Sequence, residues 1–102
     1  MTAILTDHAV LRGKERLNLN RKSLQRMADR ALEKGVRHSD TNGLLNKYLS
    51  DIWDKRHSIN NLRIYGEILY LFQDVVLVTV LWVPVELKAI LAKTRRKTEQ
   101  VR

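Results

Sequence analysis

Between Asp74 and Pro84 the chain reads Val-Val-Leu-Val-Thr-Val-Leu-Trp-Val, and no other stretch limits its possible folds as much. Five of the nine residues, 75–83, are valine, and none is charged. β-Branched side chains are stiff at χ1 and sit well on a pleated surface. A short run that is apolar on both faces predicts a strand covered on both sides, hence a central one. Pro84 offers no N–H to a ladder, so the strand is expected to stop there.

Two more β-rich runs precede it, Leu62–Tyr65 and Ile68–Phe72, and only Gly66-Glu67 and Gln73-Asp74 separate the three. Gaps that short predict hairpins and an antiparallel meander over 62–83. Ile68, Tyr70 and Phe72 would share one face, and Leu69 and Leu71 the other.

The remaining segments have helical spacing. Thr6 is the expected N-cap of a helix from His8 to Leu17, with Asp7 in its first turn. Ala9, Gly13 and Leu17 form a narrow stripe, and Gly13, which weakens a helix by about 1 kcal/mol against alanine, points to close packing. Asn20 caps a second helix, in which Leu24, Met27, Ala28, Ala31 and Leu32 recur every three or four residues. Gly35 is expected at the left-handed C′ position, with Val36 folding back on Leu32. Ser39 to Gly43 is turn chemistry, and Leu44 to Trp53 a short third helix. Pro84 opens a last helix with Leu87, Ile90 and Leu91 on its apolar side and Lys93, Arg95, Arg96 and Lys97 near its end. Residues 1–5 are a frayed end or a short edge segment.

These elements predict one α+β domain over 1–102: a helical pair at 6–35, a short helix at 44–53, the meander at 62–83 and a basic C-terminal helix at 84–98. The N-terminal helices pack on a three- to four-stranded antiparallel sheet. Any open sheet face would have to carry Arg63, Tyr65 and Thr79.

The 102 residues carry a formal charge of +8 and no cysteine, which excludes disulfides and thiolate metal sites. Nine Lys/Arg face four Asp/Glu over 1–38, four face five over 39–84, and six face two over 85–102. The sheet is thus near neutral and the helical ends are basic, a layout that suits a polyanion such as RNA or a nucleoprotein. The N-terminus lacks the basic start and apolar core of a signal peptide, and the uncharged run ending at Val85 is too short to span a bilayer. A cytoplasmic protein away from membranes is expected.

No phosphate-binding glycine loop, nucleophile elbow or zinc spacing is present, so no cofactor is implied. Asp51, Asp54 and His57 fall three apart, which reads as a solvated helix edge rather than a metal site. What remains suits metal-free phosphodiester cleavage, which needs a base, an acid and cations on the phosphorane. His8 and His38 are the candidates for the acid and the base, since histidine is the side chain most often used for both. Arg12, Arg16 and Arg63 could supply charge, Tyr65 could move a proton or stack a base, and Thr79 is the hydroxyl within the apolar strand. Structural roles compete for each: a first-turn histidine, a loop histidine, a solvated arginine face, a packed tyrosine, an ordinary strand threonine.

Residues 6–16, Thr-Asp-His-Ala-Val-Leu-Arg-Gly-Lys-Glu-Arg, resemble the opening helix of small toxin-like domains in the barnase/EndoU/colicin/RelE-like nuclease superfamily. There a His-Ala-x-x-Arg-x-x-x-Arg pattern precedes an antiparallel meander; His8, Ala9, Arg12 and Arg16 fit it. The chain also resembles small bacterial and phage proteins in stretches such as Met-Ala-Asp-Arg-Ala-Leu-Glu-Lys-Gly, Asn-Asn-Leu-Arg-Ile-Tyr-Gly and Leu-Val-Thr-Val-Leu-Trp-Val-Pro. The first resemblance implies a metal-independent endoribonuclease, with His8, Arg12, Arg16, Arg63 and Tyr65 as catalytic candidates. The basic helix after Pro84 departs from the second group's pattern and could contact RNA or an antitoxin.

Two other readings stand beside cleavage. One is a non-enzymatic, phage-type inhibitor of a host defence complex, of anti-CRISPR kind, that binds a nucleic-acid-handling partner. Its contact residues would be Arg21, Lys22, Arg26, Lys93, Arg95, Arg96 and Lys97. The other takes 8–35 as a helix-turn-helix, which fits less well because the apolar stripe of the second helix needs the sheet.

Overall fold

Helices cover both faces of a five-stranded sheet in the computed structural model, which describes residues 2–101 and side chains through residue 96. The chain runs β1 (Ile4–Leu5), α1 (Asp7–Leu17), α2 (Arg21–Lys34), β2 (Val36–Arg37), a 3-10 turn (His38–Asp40), α3 (Gly43–Lys55), β3 (Asn61–Tyr65), β4 (Ile68–Gln73), β5 (Val76–Trp82), a second 3-10 turn (Val85–Leu87) and α4 (Lys88–Val101). The strand order is β1-β5-β4-β3-β2. The class is α+β, and β3-β4-β5 form the expected antiparallel meander.

The sheet is larger than the sequence suggests, and it is mixed. Ile4–Leu5 lie parallel to β5, with Ile4 opposite Val76, and Val36–Arg37 lie antiparallel to β3. Two-residue strands have too little length for a side-chain period, so only their partners define them. The central strand is β4, not the valine-rich β5. All of Ile68–Phe72 is buried, whereas Val76 and Val78 of β5 are half-buried beside the short β1.

On one face, Tyr70 and Phe72 share a cluster with Ala9 of α1 and Ala28, Ala31 and Leu24 of α2. Their rings stack with centroids 6.4 Å apart. The alanines of the helices face the large rings of the strand, a small-against-large arrangement that lets the layers approach closely. On the other face, Leu45 and Leu49 of α3 and Leu91 of α4 meet Ile64, Leu69 and Leu71. No face is left open: Tyr65 packs against the first cluster and Thr79 is 1% exposed.

The helix starts follow their caps. Thr6 Oγ1 accepts from the Ala9 amide at 3.0 Å, and Asn20 Oδ1 from the Ser23 amide at 2.8 Å. Gly13 does mark a close approach, since a Cβ there would stand 2.8 Å from Leu24 Cδ2. Gly35 differs from expectation. Its φ of −63° and ψ of 149° are extended, not left-handed. Glycine is needed there because a Cβ would collide with the Ala31 carbonyl oxygen, and Val36 leaves directly into β2 rather than closing a cap. Pro84 precedes a 3-10 turn, so α4 starts at Lys88, later than expected. Among the described residues, no helix is long and apolar enough to cross a membrane.

Candidate nucleic-acid interface

α1 carries three of the candidate residues, one turn apart. His8 is exposed at the start of the helix. Arg12 Nη1 donates to Glu15 Oε2 at 2.6 Å. Arg16 has another task, because β1 pairs only with Val76 and Leu77 and leaves the rest of β5 with an unpaired edge. The Arg16 guanidinium donates to the Val80 carbonyl at 2.9 Å, and the Thr6 hydroxyl donates to the Leu77 carbonyl at 2.9 Å. α1 therefore closes an edge that would otherwise invite another strand.

Arg63 and Tyr65 sit on β3, on the face turned toward α2. β4 separates them from β5 by two strand spacings, about 10 Å. Arg63 Nη1 donates to the Leu32 carbonyl at 2.9 Å and Nε to Asn61 Oδ1 at 2.8 Å. It thus satisfies an orphan carbonyl in the last turn of α2, where a cation also suits the helix dipole. Tyr65 packs beside Tyr70, whose phenol burial pushes well above its ordinary pKa, with Tyr65 adding to the rise. The structure brings His8, Arg12 and Arg16 onto one helix and Arg63 with Tyr65 onto one strand. It holds the guanidinia of Arg16 and Arg63 on main-chain carbonyls on opposite sides of β4.

The polar side of α2 is different. Arg21, Lys22, Arg26 and Arg30 are exposed there and border a shallow depression of about 680 Å³ with Gln25, Asp29 and Glu33. Asp29 Oδ1 accepts from the Ala3 amide at 2.7 Å and from Gln25 Nε2 at 3.0 Å, so this acid anchors the segment leading to β1. The buried side of the helix is fully committed to the sheet, with Leu24, Ala28 and Ala31 at 0% exposure. The basic side chains thus stand on a rigid support. The first turn of α2 holds Arg21 and Lys22 and no acid. Cations at the positive end of the helix dipole are unfavourable by a few tenths of a kcal/mol or more each. Folding alone gives no reason for them.

α4 contributes less. Lys93 and Arg96 are exposed, whereas Arg95 donates to the Gly66 carbonyl at 3.0 Å and ties the helix to the β3–β4 turn. The Lys97 side chain lies outside the described residues. His38 leaves the sheet in the 3-10 turn, with Nε2 3.0 Å from Ser50 Oγ and its ring 5.8 Å from that of Trp53. Among the described residues no group of acids and histidines could hold a metal ion.

Sequence reasoning passed over Arg30, although it follows Arg26 by one turn on the same side. It also passed over Arg37 and Trp53. Trp53 matched the apolar period of α3 and so read as core, yet it is 38% exposed. Comparison of the chain with protein-family models, with characterised proteins and with solved structures gives no significant match.

Proposed function

We propose that this protein binds RNA, free or within a nucleoprotein complex, through the basic side of α2, and that binding rather than cleavage is its activity. The observation that carries this reading is the exposure of Arg21, Lys22, Arg26 and Arg30 on a helix whose opposite side is locked in the core. Phosphate there would meet the cations and the positive helix terminus together. It would relieve the repulsion that Arg21 and Lys22 otherwise suffer. Cleavage by the α1 and β3 residues is supported less, because two of its three cations are engaged in holding the fold.

The test is RNA affinity as a function of salt for the protein and for the Arg21→Gln/Arg26→Gln double variant. The slope of log affinity against log salt should flatten by about 0.7 for each single-strand phosphate contact removed. An unchanged slope and affinity would remove the reading. The same incubations, run with EDTA, report cleavage. Cuts that persist in EDTA and vanish in His8→Ala would restore the endoribonuclease reading in its place.

A further inference from the structure

Where the chain leaves the sheet after β2, Arg37, His38, Ser39, Asn46, Trp53 and Asn61 help to line a cleft of about 400 Å³. Like the depression beside α2 it is shallow and largely open to solvent, suited to one flat group rather than to an enclosed ligand. The walls are built from hydrogen bonds, which leaves few groups with spare capacity. Asn46 Nδ2 donates to the Thr41 carbonyl at 3.2 Å and to Thr41 Oγ1 at 3.1 Å, and fixes the turn that carries His38. Asn61 donates to the Asp74 carbonyl at 3.0 Å and accepts from Arg63. Asn60 exchanges two bonds with Asp74, at 2.7 and 3.0 Å, so the far wall is tied to the β4–β5 turn. His38 is held through Nε2 by Ser50, and its ring is tilted 50° against Trp53.

What the cleft can still offer a ligand is short. It has the exposed part of the Trp53 indole, the second ring nitrogen of His38, the Ser39 hydroxyl and the Arg37 guanidinium. The Arg37 side chain is 51% exposed and only loosely paired with Asp40, at 3.6 Å. A flat aromatic surface beside a histidine and a half-exposed arginine is the chemistry that takes a planar heterocycle joined to a phosphate. The cleft also begins where the basic helix ends, since Gly35 and Val36 alone separate Lys34 from Arg37.

We propose that this cleft binds one unstacked nucleobase, with Trp53 as the stacking surface and Arg37 on the adjoining phosphate, so that the protein selects single-stranded over duplex nucleic acid. The inference rests on the α2 reading and narrows it. A base inside a duplex presents only its edges, so a face-stacking pocket requires a base that has left the stack. α2 supplies affinity without sequence preference, and the cleft supplies the discrimination between strand states.

The experiment uses a fluorescein-labelled RNA strand of mixed sequence and about 12 nucleotides, within the site sizes of single-strand binders, and the same strand annealed to its full complement. Affinity for both is measured by anisotropy for the full chain, Trp53→Ala, Arg37→Gln and the Arg21→Gln/Arg26→Gln double variant. The ratio of single-strand to duplex affinity should favour the single strand. It should fall about tenfold in Trp53→Ala, the size of one lost base stack. Arg37→Gln, at a half-exposed position, is expected to fold normally and to lower the ratio in the same direction. A ratio near one for the parent protein, or a ratio that neither variant changes, overturns the cleft and leaves the α2 reading standing. Single-strand binding that needs Trp53 but not Arg21 and Arg26 overturns the α2 reading and keeps the cleft.

Discussion

Arg16 and Trp82 grip each other's elements in both directions. The Trp82 indole N–H donates to the Arg16 carbonyl at 2.8 Å, while the Arg16 guanidinium donates to the Val80 carbonyl at 2.9 Å, two residues back on β5. The last turn of α1 and the end of β5 are thereby fastened along the strand edge that β1 does not reach. An arginine that by its spacing belongs with His8 and Arg12 is thus explained by the fold. Trp82, 51% exposed, owes its place to its N–H and not to burial.

Replacing Arg16 by alanine should cost about 1.5–3 kcal/mol, the worth of a hydrogen bond from a charged group, and leave the Val80 carbonyl unpaired. Urea unfolding measures the loss. The variant should also associate more readily at high concentration, because its β5 edge is uncovered. Light scattering reads that second effect, which a purely catalytic Arg16 would not produce.

Thr6 carries two duties with one hydroxyl. It caps α1 through Ala9 and occupies the β5 edge at the Leu77 carbonyl. Thr6→Val keeps the shape and removes both, so a loss of about 1–2 kcal/mol is expected. Thr6→Ser keeps both hydrogen bonds and should recover most of the stability in the same unfolding assay.

Gly13→Ala sets helix propensity against packing. Propensity favours alanine by about 1 kcal/mol. The new methyl would press on Leu24, which is at 0% exposure and has nowhere to move, and overpacking costs about 1–3 kcal/mol. Packing should win, with a lowered melting temperature. In a Leu24→Ala background the same substitution should become stabilising, and a double-mutant cycle isolates the contact.

Tyr70 has a buried hydroxyl with no hydrogen-bond partner among the described residues. Tyr70→Phe should therefore be neutral or stabilising by up to about 1 kcal/mol. The pH dependence has a definite sign. Burial raises the phenol pKa in the folded protein above the ordinary value of 10.0. Above that pH the unfolded chain loses this proton while the folded chain keeps it, so stability falls as pH rises through the alkaline range. Tyr70→Phe should flatten that fall, as measured by urea unfolding across alkaline pH.

Local signals were readable wherever the physics is local. Thr6 and Asn20 cap helices because a short side-chain oxygen reaches the third amide ahead, and the α2 stripe from Leu24 to Leu32 repeats at the helical period. The meander was legible because its strands are long enough to alternate and its gaps too short for anything but a hairpin. Gly35 was misread because its role depends on how closely Ala31 and Arg63 approach, which adjacent residues do not encode. Arg63 and Arg16 looked alike as chemistry-bearing side chains, and Trp53 looked like core. Only their partners distinguish a helix-end cation, an edge clamp and an exposed ring at a cleft.

By itself, then, the sequence determined the helices, the three long strands and the basic character of the helical segments, since these follow from propensity, periodicity and composition within a few residues of each position. Tertiary structure decided that β4 is central and that two-residue strands extend the sheet at both edges. It also decided which cations remain exposed to solvent. Those outcomes depend on hydrogen bonds between residues far apart in the chain, such as Arg16 with Val80 and Arg63 with Leu32. A side chain's freedom to meet a ligand is what remains after such bonds are made.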